Sequence, residues 1–282
     1  MLPVARLSWL AGALLAGEEG AAAALGPQIR AACESTGFFF ITSTGVESQI
    51  AALLEVTKAY FDTPEEERVA DCGVGGYQRG FVANGRDQQP GIPPDLKESF
   101  DMGVDLPLSH PAVAAGTPMH GPNQWPSRCP WLRGPTEEYF EVLRALGEKL
   151  LGAFACSVDA PEDFFEGMTD EAMVQMRMFR YELKCKWKLF PDFSVENAEM
   201  MEHFPSKIMI SIGKMADYFA IRGRYFPLPE DSDAYGSFEH TDYGMFTLLS
   251  PDPIGGLEVK TRSGEWVAAP YIEGSLGEDC LL

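Results

Sequence analysis

The spacing of apolar residues changes along this chain, and the change limits the folds open to it. Residues 50–61 and 139–154 carry apolar side chains every three or four positions, which predicts amphipathic helices. From Val174 apolar and polar residues alternate, and after Tyr235 short apolar runs are separated by turn residues. Helices followed by short antiparallel strands predict an α+β fold with a jelly-roll or barrel core.

The N-terminal region is predicted to combine helices with short strands. A strand around Pro3–Leu7 leads into an alanine-rich stretch that we interpret as one helix ending near Cys33. The apolar run Gly37–Ile41 predicts a buried strand. Thr63–Glu66 places a cap residue, a proline and glutamates where a helix starts. Residues 105–135, rich in proline and glycine, predict a long connecting loop.

Composition limits the partners and the compartment. The formal net charge of −20 opposes nucleic-acid binding, because a polyanion would be repelled over most of the surface. Six cysteines without a C-x-x-C pair predict reduced thiols and a cytoplasmic location. The apolar stretch from Leu2 to Leu15 contains one basic residue, Arg6, and is too short to span a bilayer. We therefore expect neither a signal peptide nor a membrane segment.

His240 and Asp242 are separated by one residue in the strand-rich part of the chain. A strand sends alternate side chains to one face, so the imidazole and the carboxylate would project together. These are two of the three ligands of a 2-His-1-carboxylate iron(II) site. Residues 243–282 contain no histidine that could be the third. The other histidines, expected to be loop or structural residues, are His110, His120 and His203.

The segment from Glu182 to about Gly223 differs in composition from its surroundings. It contains five of the nine lysines of an otherwise acidic chain. One interpretation is a genuine insertion that covers the site, because long loops in compact domains are often functional. The other is foreign sequence, such as a retained intron, and we favour it because of the compositional break.

Several motifs, in sequence order over residues 1–181 and 224–276, carry a family resemblance. They are Gly37-Phe38-Phe39, Thr63–Glu67, Arg79-Gly80-Phe81, Lys97–Asp101, His120–Pro126, His240–Gly244, Gly255–Val259 and Gly264–Val267. In these motifs the chain resembles the iron(II)- and 2-oxoglutarate-dependent oxygenases of the isopenicillin N synthase-like group. The resemblance implies a double-stranded β-helix core with N-terminal helices.

The resemblance also implies a division of the chain and a chemistry. Residues 1–110 would form the N-terminal non-haem dioxygenase region, 111–173 a linker with a long helix, and 174–282 a partial oxygenase core with the doubtful insert at 182–223. Fe(II) would be the cofactor, and 2-oxoglutarate would chelate the metal and be oxidised to succinate. A small organic molecule would be the substrate.

Four residues receive roles from this resemblance. His240 and Asp242 would bind the iron. Arg79 matches an arginine that contacts substrate in some relatives, and a guanidinium suits a carboxylate, although an interdomain ion pair is an equal alternative. Tyr225 would hydrogen-bond the co-substrate, and the alternative is a buried structural tyrosine.

The chain departs from the family pattern after the H-x-D pair. The distal histidine of the family and its Arg-x-Ser have no counterpart in residues 243–282, so weak metal binding and little turnover are expected. The tail residues Glu278, Asp279 and Cys280 are expected to be a solvated end. Two alternatives remain open: a non-catalytic β-helix scaffold that binds a small ligand or partner, and an oxidase of the same family that works without 2-oxoglutarate.

Overall fold

The structure is a computed structural model. It describes residues 5–7, 9–71, 78–83, 97–169, 173–181, 206–212, 221–223, 237–240, 245–251, 253, 257–261 and 263–280. The helices are α1 Trp9–Ala16, α2 Ala21–Ser35, α3 Glu47–Phe61, α4 Glu65–Asp71, α5 Pro111–Ala114 and α6 Arg133–Ser157, with a 3-10 turn at Pro130–Leu132. The strands are β1 Ala5–Leu7, β2 Phe38–Ile41, β3 Gly80–Val82, β4 Lys97–Gly103, β5 Val174–Tyr181, β6 Ser206–Ile212, β7 Ile221–Gly223, β8 Ser237–His240, β9 Phe246–Ser250, β10 Leu257–Lys260, β11 Trp266–Ala268 and β12 Leu276–Cys280.

The strands form two sheets. The larger has eight strands in the order β1-β2-β12-β9-β6-β5-β4-β3, and the smaller has four in the order β11-β10-β7-β8. Only β1 and β2 pair in parallel among the described strands. Two largely antiparallel sheets preceded by helices confirm the predicted α+β class.

The larger sheet is buried on both faces, and β2 shows this most directly. All four of its side chains are buried. Phe39 and Ile41 pack into the cluster beneath the helices, whereas Phe38 and Phe40 point the other way. The cluster on that second side lies between the two sheets and consists of Phe38, Phe40, Leu249, Leu257, Val259 and Ala269.

Helix α6 supplies much of the core on the helix side. The apolar stripe predicted over 139–154 is buried at Tyr139, Leu143, Leu146, Leu150 and Phe154, as the helical spacing requires. Helix α2 crosses α6 closely. A Cβ added at Gly26 would lie 2.8 Å from the backbone carbon of Cys156, so glycine is needed at this crossing.

Two local predictions near the N-terminus need correction. The alanine-rich stretch forms two helices rather than one, because the chain turns at Gly17 and Gly20, where φ is +73° and +80°. Helix α4 begins at Glu65 as the motif indicates. However, the Thr63 hydroxyl donates to the carbonyl oxygen of Tyr60 (2.7 Å) and ends α3 instead of capping α4.

The segment interpreted as an insertion contributes strands to both sheets. Residues 206–212 form β6 in the middle of the larger sheet, paired with β5 and β9. Residues 221–223 form β7, paired with β8 and β10. The prediction that 182–223 interrupts the core is therefore wrong for these two strands. The lysine-rich composition of the segment misled the prediction, because the largely apolar, β-branched run of 208–212 is the stronger signal.

The predicted solvated tail is also part of the larger sheet. Residues Leu276–Cys280 form β12, which pairs with β2 on one side and β9 on the other. Gly277 permits this position, because an added Cβ would lie 2.6 Å from the ring of Phe38. The expectation of a free end was wrong because local sequence does not report pairing with strands far along the chain.

The cysteines differ from the prediction at one position. Cys33 is disulfide-bonded, whereas Cys129 and Cys156 are free thiols. The prediction that all six cysteines are reduced is therefore contradicted at Cys33. Among the described residues, no helix combines the length and the apolar character needed to cross a membrane.

A buried ion-pair network ties the N-terminal helices to β4 and β5. Glu98 accepts from Arg68 at 2.7 Å and also from Arg180 across the strand pair. Both arginines donate to the carbonyl oxygen of Phe61 at the end of α3. The side chains of Arg68 and Glu98 are only 2% and 8% exposed, so each charge depends on the other.

We predict that Glu98→Ala destabilises the protein by about 3–5 kcal/mol, because it leaves the Arg68 guanidinium buried without its counter-charge. Urea unfolding followed by circular dichroism measures the change in the free energy of unfolding. The control is Glu55→Ala, at an exposed position of α3, which should change it by less than about 0.5 kcal/mol. Equal effects of the two substitutions would contradict the importance of the network.

A second buried contact joins α6 to β9. The hydroxyls of Tyr139 and Ser250 lie 2.5 Å apart, and both residues are buried. Burial raises the pKa of Tyr139 far above its usual value of 10.0, and the hydrogen bond to Ser250 offsets part of that shift. The folded protein therefore favours the protonated phenol.

This raised pKa predicts an alkaline loss of stability. The contribution of Tyr139 is complete below the unfolded pKa of about 10 and is lost as the pH rises from there towards the folded pKa. We expect the free energy of unfolding to fall less steeply above about pH 10 in Tyr139→Phe than in the wild type. Denaturant titrations across this pH range test it, and parallel curves would contradict it.

Candidate functional site

The structure describes two of the four residues predicted for the site. His240 is the last residue of β8, and β8 is the last strand in the described order of the smaller sheet. Arg79 lies directly before β3. Asp242 and Tyr225 lie outside the described residues, so their predicted roles stay predictions.

The register of the smaller sheet places His240 in a defined row. His240 pairs with Ile221 on β7, and Ile221 pairs with Val259 on β10. Residues directly opposite in antiparallel strands share one face of a sheet. Val259 is 2% exposed and packs in the cluster between the sheets. The backbone register thus links His240 through Ile221 to Val259, and the β7–β8 pairing is irregular between Ile221 and Gly223.

The guanidinium of Arg79 is held by backbone groups. Arg79 is 5% exposed, and it donates from Nη1 to the carbonyl oxygen of Gln78 (3.1 Å) and from Nη2 to that of Met119 (2.9 Å). Met119 immediately precedes the loop 120–126 that carries one of the family motifs. Arg79 therefore connects the start of β3 to that loop.

The backbone around Arg79 is strained on both sides of this contact. Gln78 and Met119 have φ values of +53° and +63°, in the left-handed region that non-glycine residues rarely adopt. Gly80 follows with φ +86°. Such conformations cost of order 1–3 kcal/mol each and persist where surrounding contacts hold them. The two carbonyl oxygens that bind Arg79 belong to the two strained non-glycine residues.

The end of β4 is shaped to receive the guanidinium. A Cβ added at Gly103 would lie 2.8 Å from Cζ of Arg79 and 2.8 Å from the carbonyl oxygen of Val174. Burial lowers the pKa of Arg79, while Asp101 and Asp105 raise it. The nearby carboxylates therefore favour the charged guanidinium at this desolvated position.

Asn123 fixes the loop 120–126 to the same strand end. Its side chain accepts from the backbone N–H of Gly103 (3.0 Å) and donates to the carbonyl oxygen of that residue (2.8 Å). The backbone N–H of Asn123 donates to Asp105 at 2.8 Å. His120 contacts the carbonyl oxygen of Pro118, and His110 accepts from the N–H of Ala112 at the start of α5. Both histidines have local loop contacts, as predicted.

A second arginine beside Arg79 was missed in the sequence. Arg177 on β5 pairs directly opposite Asp101 on β4 and forms a bidentate ion pair with it. The alternating pattern of β5 indicates that Arg177 and the apolar core residues lie on opposite faces. The alternating pattern could have identified Arg177 as a residue of the polar face. It could not have identified Asp101 as the partner, because β4 lies over 70 residues earlier in the sequence.

The donor set provides part of an iron site. Within the described ranges, no three side chains of His, Cys, Asp or Glu are grouped so that they could hold a metal ion. One imidazole and one carboxylate, His240 and Asp242, nevertheless fit the chemistry of a non-haem iron(II) centre. These two residues could hold the metal together with one further ligand.

Two sequence families match the chain. Residues 2–128 match the non-haem dioxygenase in morphine synthesis N-terminal region, and residues 218–277 match the 2OG-Fe(II) oxygenase superfamily. The chain belongs to the 2-oxoglutarate–Fe(II) oxygenases. The second match begins at 218 and includes β7, so the resemblance resumes before residue 224, where the motifs of the sequence analysis resumed. Fe(II) and 2-oxoglutarate are the cofactor and co-substrate of this family, as predicted.

Relatives of known type support the same assignment. The 2-oxoglutarate-Fe(II) type oxidoreductase hxnY of Emericella nidulans is 28% identical over 270 residues, which are 92% of this chain and 65% of that protein. The 2-oxoglutarate-dependent dioxygenase caaD of Aspergillus niger is 29% identical over 255 residues, 87% of this chain and 64% of that protein. The chain thus spans slightly less than two thirds of the length of these relatives.

Solved structures show the same fold. A full-length Neurospora crassa protein, in complex with alpha-KG, superimposes with a TM-score of 0.68 at 20% identity, covering 98% of this chain and 72% of that one. The auxin-oxidising dioxygenase AtDAO1 of Arabidopsis thaliana, as a complex with 2-oxoglutarate, gives 0.56 at 19% identity, with 99% and 79% covered. These likenesses confirm the predicted jelly-roll core with N-terminal helices.

We predict that Gly103→Ala destabilises the protein by about 1–3 kcal/mol, because the added methyl group would displace the Arg79 guanidinium or the backbone at Val174. Thermal unfolding by calorimetry measures the effect. Gly134→Ala is the matched control, since nothing lies within 4 Å of a Cβ added there and the position is helical. A control variant that is destabilised as much as Gly103→Ala would show that the tight fit is unimportant.

Proposed function

We propose that the protein is an iron(II)- and 2-oxoglutarate-dependent oxygenase that oxidises a small organic molecule. The observation that carries this proposal is the position of His240. It ends β8 and is joined through the backbone register of β7 to Val259 on β10. With Asp242 two residues further along the sequence, it supplies one imidazole and one carboxylate, which are two of the three ligands of an iron(II) site.

Each predicted site residue has a role in this proposal. His240 and Asp242 bind the iron, and Tyr225 hydrogen-bonds the co-substrate. When bound, Fe(II) and 2-oxoglutarate would supply the electrons that activate O₂ for attack on a C–H bond of the substrate. Arg79 was predicted to contact the substrate. Its hydrogen bonds to two backbone carbonyl oxygens favour a different role, which is to support the loop 120–126.

The substrate class follows only in outline from relatives. A homoarginine-6-hydroxylase of Glycine max is 26% identical to this chain, whereas AtDAO1 is a dioxygenase for auxin oxidation. Because these two substrates differ, we propose a small organic molecule and no particular compound. The strongly negative net charge makes nucleic acid an unsuitable partner.

The cytoplasmic location predicted from the cysteine pattern stays a proposal, although the disulfide at Cys33 weakens the argument from reduced thiols.

Metal binding tests the proposal directly. Titration of the anaerobic protein with Fe(II) in the presence of 2-oxoglutarate should develop a visible absorption band at one metal ion per chain. His240→Ala and Asp242→Ala should each weaken binding by about tenfold or more, because each removes a ligand. His120→Ala, in an exposed loop contact, is the matched control and should bind as the wild type does.

Turnover separates the proposal from its alternatives. Succinate released from 2-oxoglutarate under O₂, dependent on Fe(II) and lost in the two ligand variants, would support the oxygenase. Stoichiometric iron without succinate would favour an oxidase that works without 2-oxoglutarate. A chain that binds no iron at any accessible concentration would contradict the proposal and favour a non-catalytic scaffold.

A further inference from the structure

Helix α2 carries a buried, disulfide-bonded cysteine near its C-terminal end. Cys33 is fully buried in the core beneath the helices, and its sulfur is in a disulfide bond. Of the other five cysteines, Cys129 and Cys156 are free thiols. The partner of Cys33 is therefore one of the three that remain, which are Cys72, Cys185 and Cys280.

The end of α2 lies beside the start of β2. The backbone N–H of Gly37 donates to the carbonyl oxygen of Ala32 at 3.0 Å, so the chain turns directly from the helix into the strand. Strand β2 begins at Phe38, five residues after Cys33. Cys33 therefore lies near the Phe38 end of β2, on the side of the larger sheet that the helices cover.

The register of β12 brings its last residue to the same corner of the larger sheet. Asp279 pairs with Phe38 on β2, and Cys280 pairs with Phe246 on β9. Both pairings run without a register shift. The backbone of Cys280 thus lies one residue beyond the Asp279–Phe38 pair, next to the turn that joins α2 to β2.

The alternation of β12 assigns position 280 to the face that the helices cover. Leu276 is fully buried in the helix-side cluster, whereas a Cβ added at Gly277 would meet the ring of Phe38 on the opposite face. Positions 276, 278 and 280 therefore share the helix-covered face. Phe246, directly opposite position 280, packs in the same cluster as Cys33.

Cys185 follows a strand end at the opposite corner of the sheet. Tyr181, four residues before it, ends β5, and β12, β9 and β6 lie between β5 and β2. Four strand spacings and the length of β5 separate Tyr181 from Phe38 by roughly 25–30 Å. Four residues span at most about 14 Å, and bonded cysteines have Cα atoms within about 7 Å. These distances favour Cys280 over Cys185.

Cys72 follows a helix that is bound to the same distant corner. Asp71, the residue before it, ends α4, and Arg68 of this helix contacts Glu98 on β4 at 2.7 Å. Strand β4 lies one position further from β2 than β5 does. Glu98 also pairs with Arg180, next to the end of β5. The topology therefore favours Cys280 over Cys72 as well.

We propose that Cys33 and Cys280 form the disulfide, and that this bond is a reducible cross-link that holds β12 in the larger sheet. The inference goes beyond the proposed oxygenase activity and does not depend on it. A cross-link from position 33 to position 280 closes a very long loop, and the closure of a long loop strongly restricts the unfolded chain.

Strand β12 is the element through which the cross-link supports both layers of the core. It lies between β2 and β9 in the larger sheet. Leu276 packs beneath the helices, and Gly277 lies against Phe38, which belongs to the cluster between the two sheets. Separation of β12 from its neighbours would expose both clusters to water. The covalent bond to α2 opposes that separation.

Reduction of the cross-link is a two-electron exchange with a thiol reductant. The two thiols of dithiothreitol supply two electrons and two protons and become a disulfide. The bond between the sulfurs of Cys33 and Cys280 breaks, and each cysteine becomes a thiol. Because Cys33 is fully buried, attack on the disulfide requires local opening, so we expect slow reduction of the native protein.

Peptide mapping tests the pairing without any substitution. The full chain is denatured, treated with iodoacetamide, digested without reductant and analysed by mass spectrometry. We expect one linked pair of peptides that joins Cys33 to Cys280, and alkylation of the other four cysteines. A link from Cys33 to Cys72 or Cys185 would overturn the proposal, and so would alkylation of all six cysteines.

Thermal unfolding tests the stabilising effect. Dithiothreitol should lower the Tm of the wild type by about 5–15 °C, because reduction removes the constraint on the unfolded chain. The double variant Cys33→Ala/Cys280→Ala should show no response to the reductant. Cys156→Ala removes a free thiol and is the matched control, which should respond as the wild type does. The wild-type comparison decides the question even if the double variant fails to fold.

Hydrogen exchange tests whether the bond holds β12 in particular. After reduction, the amides of β12 should exchange about tenfold or more faster, whereas those of α3 should change little. Complete reduction, verified by alkylation, with no change in either the Tm or the exchange of β12 would overturn the role of the bond. Equal acceleration in β12 and α3 would also overturn it, because the bond would then stabilise the whole fold without a particular effect on β12.

Discussion

The burial of β2 on both faces is the constraint on which the rest of the structure depends. A strand covered on one face alone would alternate apolar and polar residues, whereas this strand is apolar throughout Phe38–Ile41. Phe39 and Ile41 anchor the helices, and Phe38 and Phe40 anchor the smaller sheet. The separation of the two sheets, and the space between them, follows from this one apolar strand and its partners on β9 and β10.

The space between the sheets differs in character from one side to the other. Around β2, β9 and β10 it is filled by apolar side chains, which hold the sheets together. On β4 and β5 the same face of the larger sheet carries an ion pair and a hydroxyl instead. Packing at one side therefore supports the two sheets, and polar side chains at the other side link β4 to β5.

The arginines near β4 show how buried or partly buried guanidinium groups are held by acceptor oxygens. Arg68 is buried in an ion pair with Glu98, and Arg79 is buried against backbone carbonyl oxygens. Each guanidinium is costly to desolvate, and the oxygen atoms that accept from its terminal nitrogens offset part of that cost. Arg177 is bound along one edge but remains partly exposed. The same type of side chain thus forms a structural link in all three places, to a carboxylate at Arg68 and Arg177 and to carbonyl oxygens at Arg79.

Local patterns were sufficient for much of the fold. The stripe of α6, the alternation of β5 and the β10–β11 hairpin follow from side-chain period and turn residues, which act over a few positions. Composition was misleading for β6, and position in the chain was misleading for β12. Both strands are defined by partners far away along the sequence, and strand formation depends on that tertiary context.

The sequence by itself determined the family, the α+β class and the H-x-D pair, because these depend on residue identity and on spacing within short segments. Only the tertiary structure decided that Arg79 is enclosed by backbone oxygens and that Arg177 pairs with Asp101 across β4 and β5. The exposure of an arginine depends on what chain folding brings beside it. Residues more than 70 positions apart come into contact only when the sheet forms, so the local sequence pattern does not predict their contact.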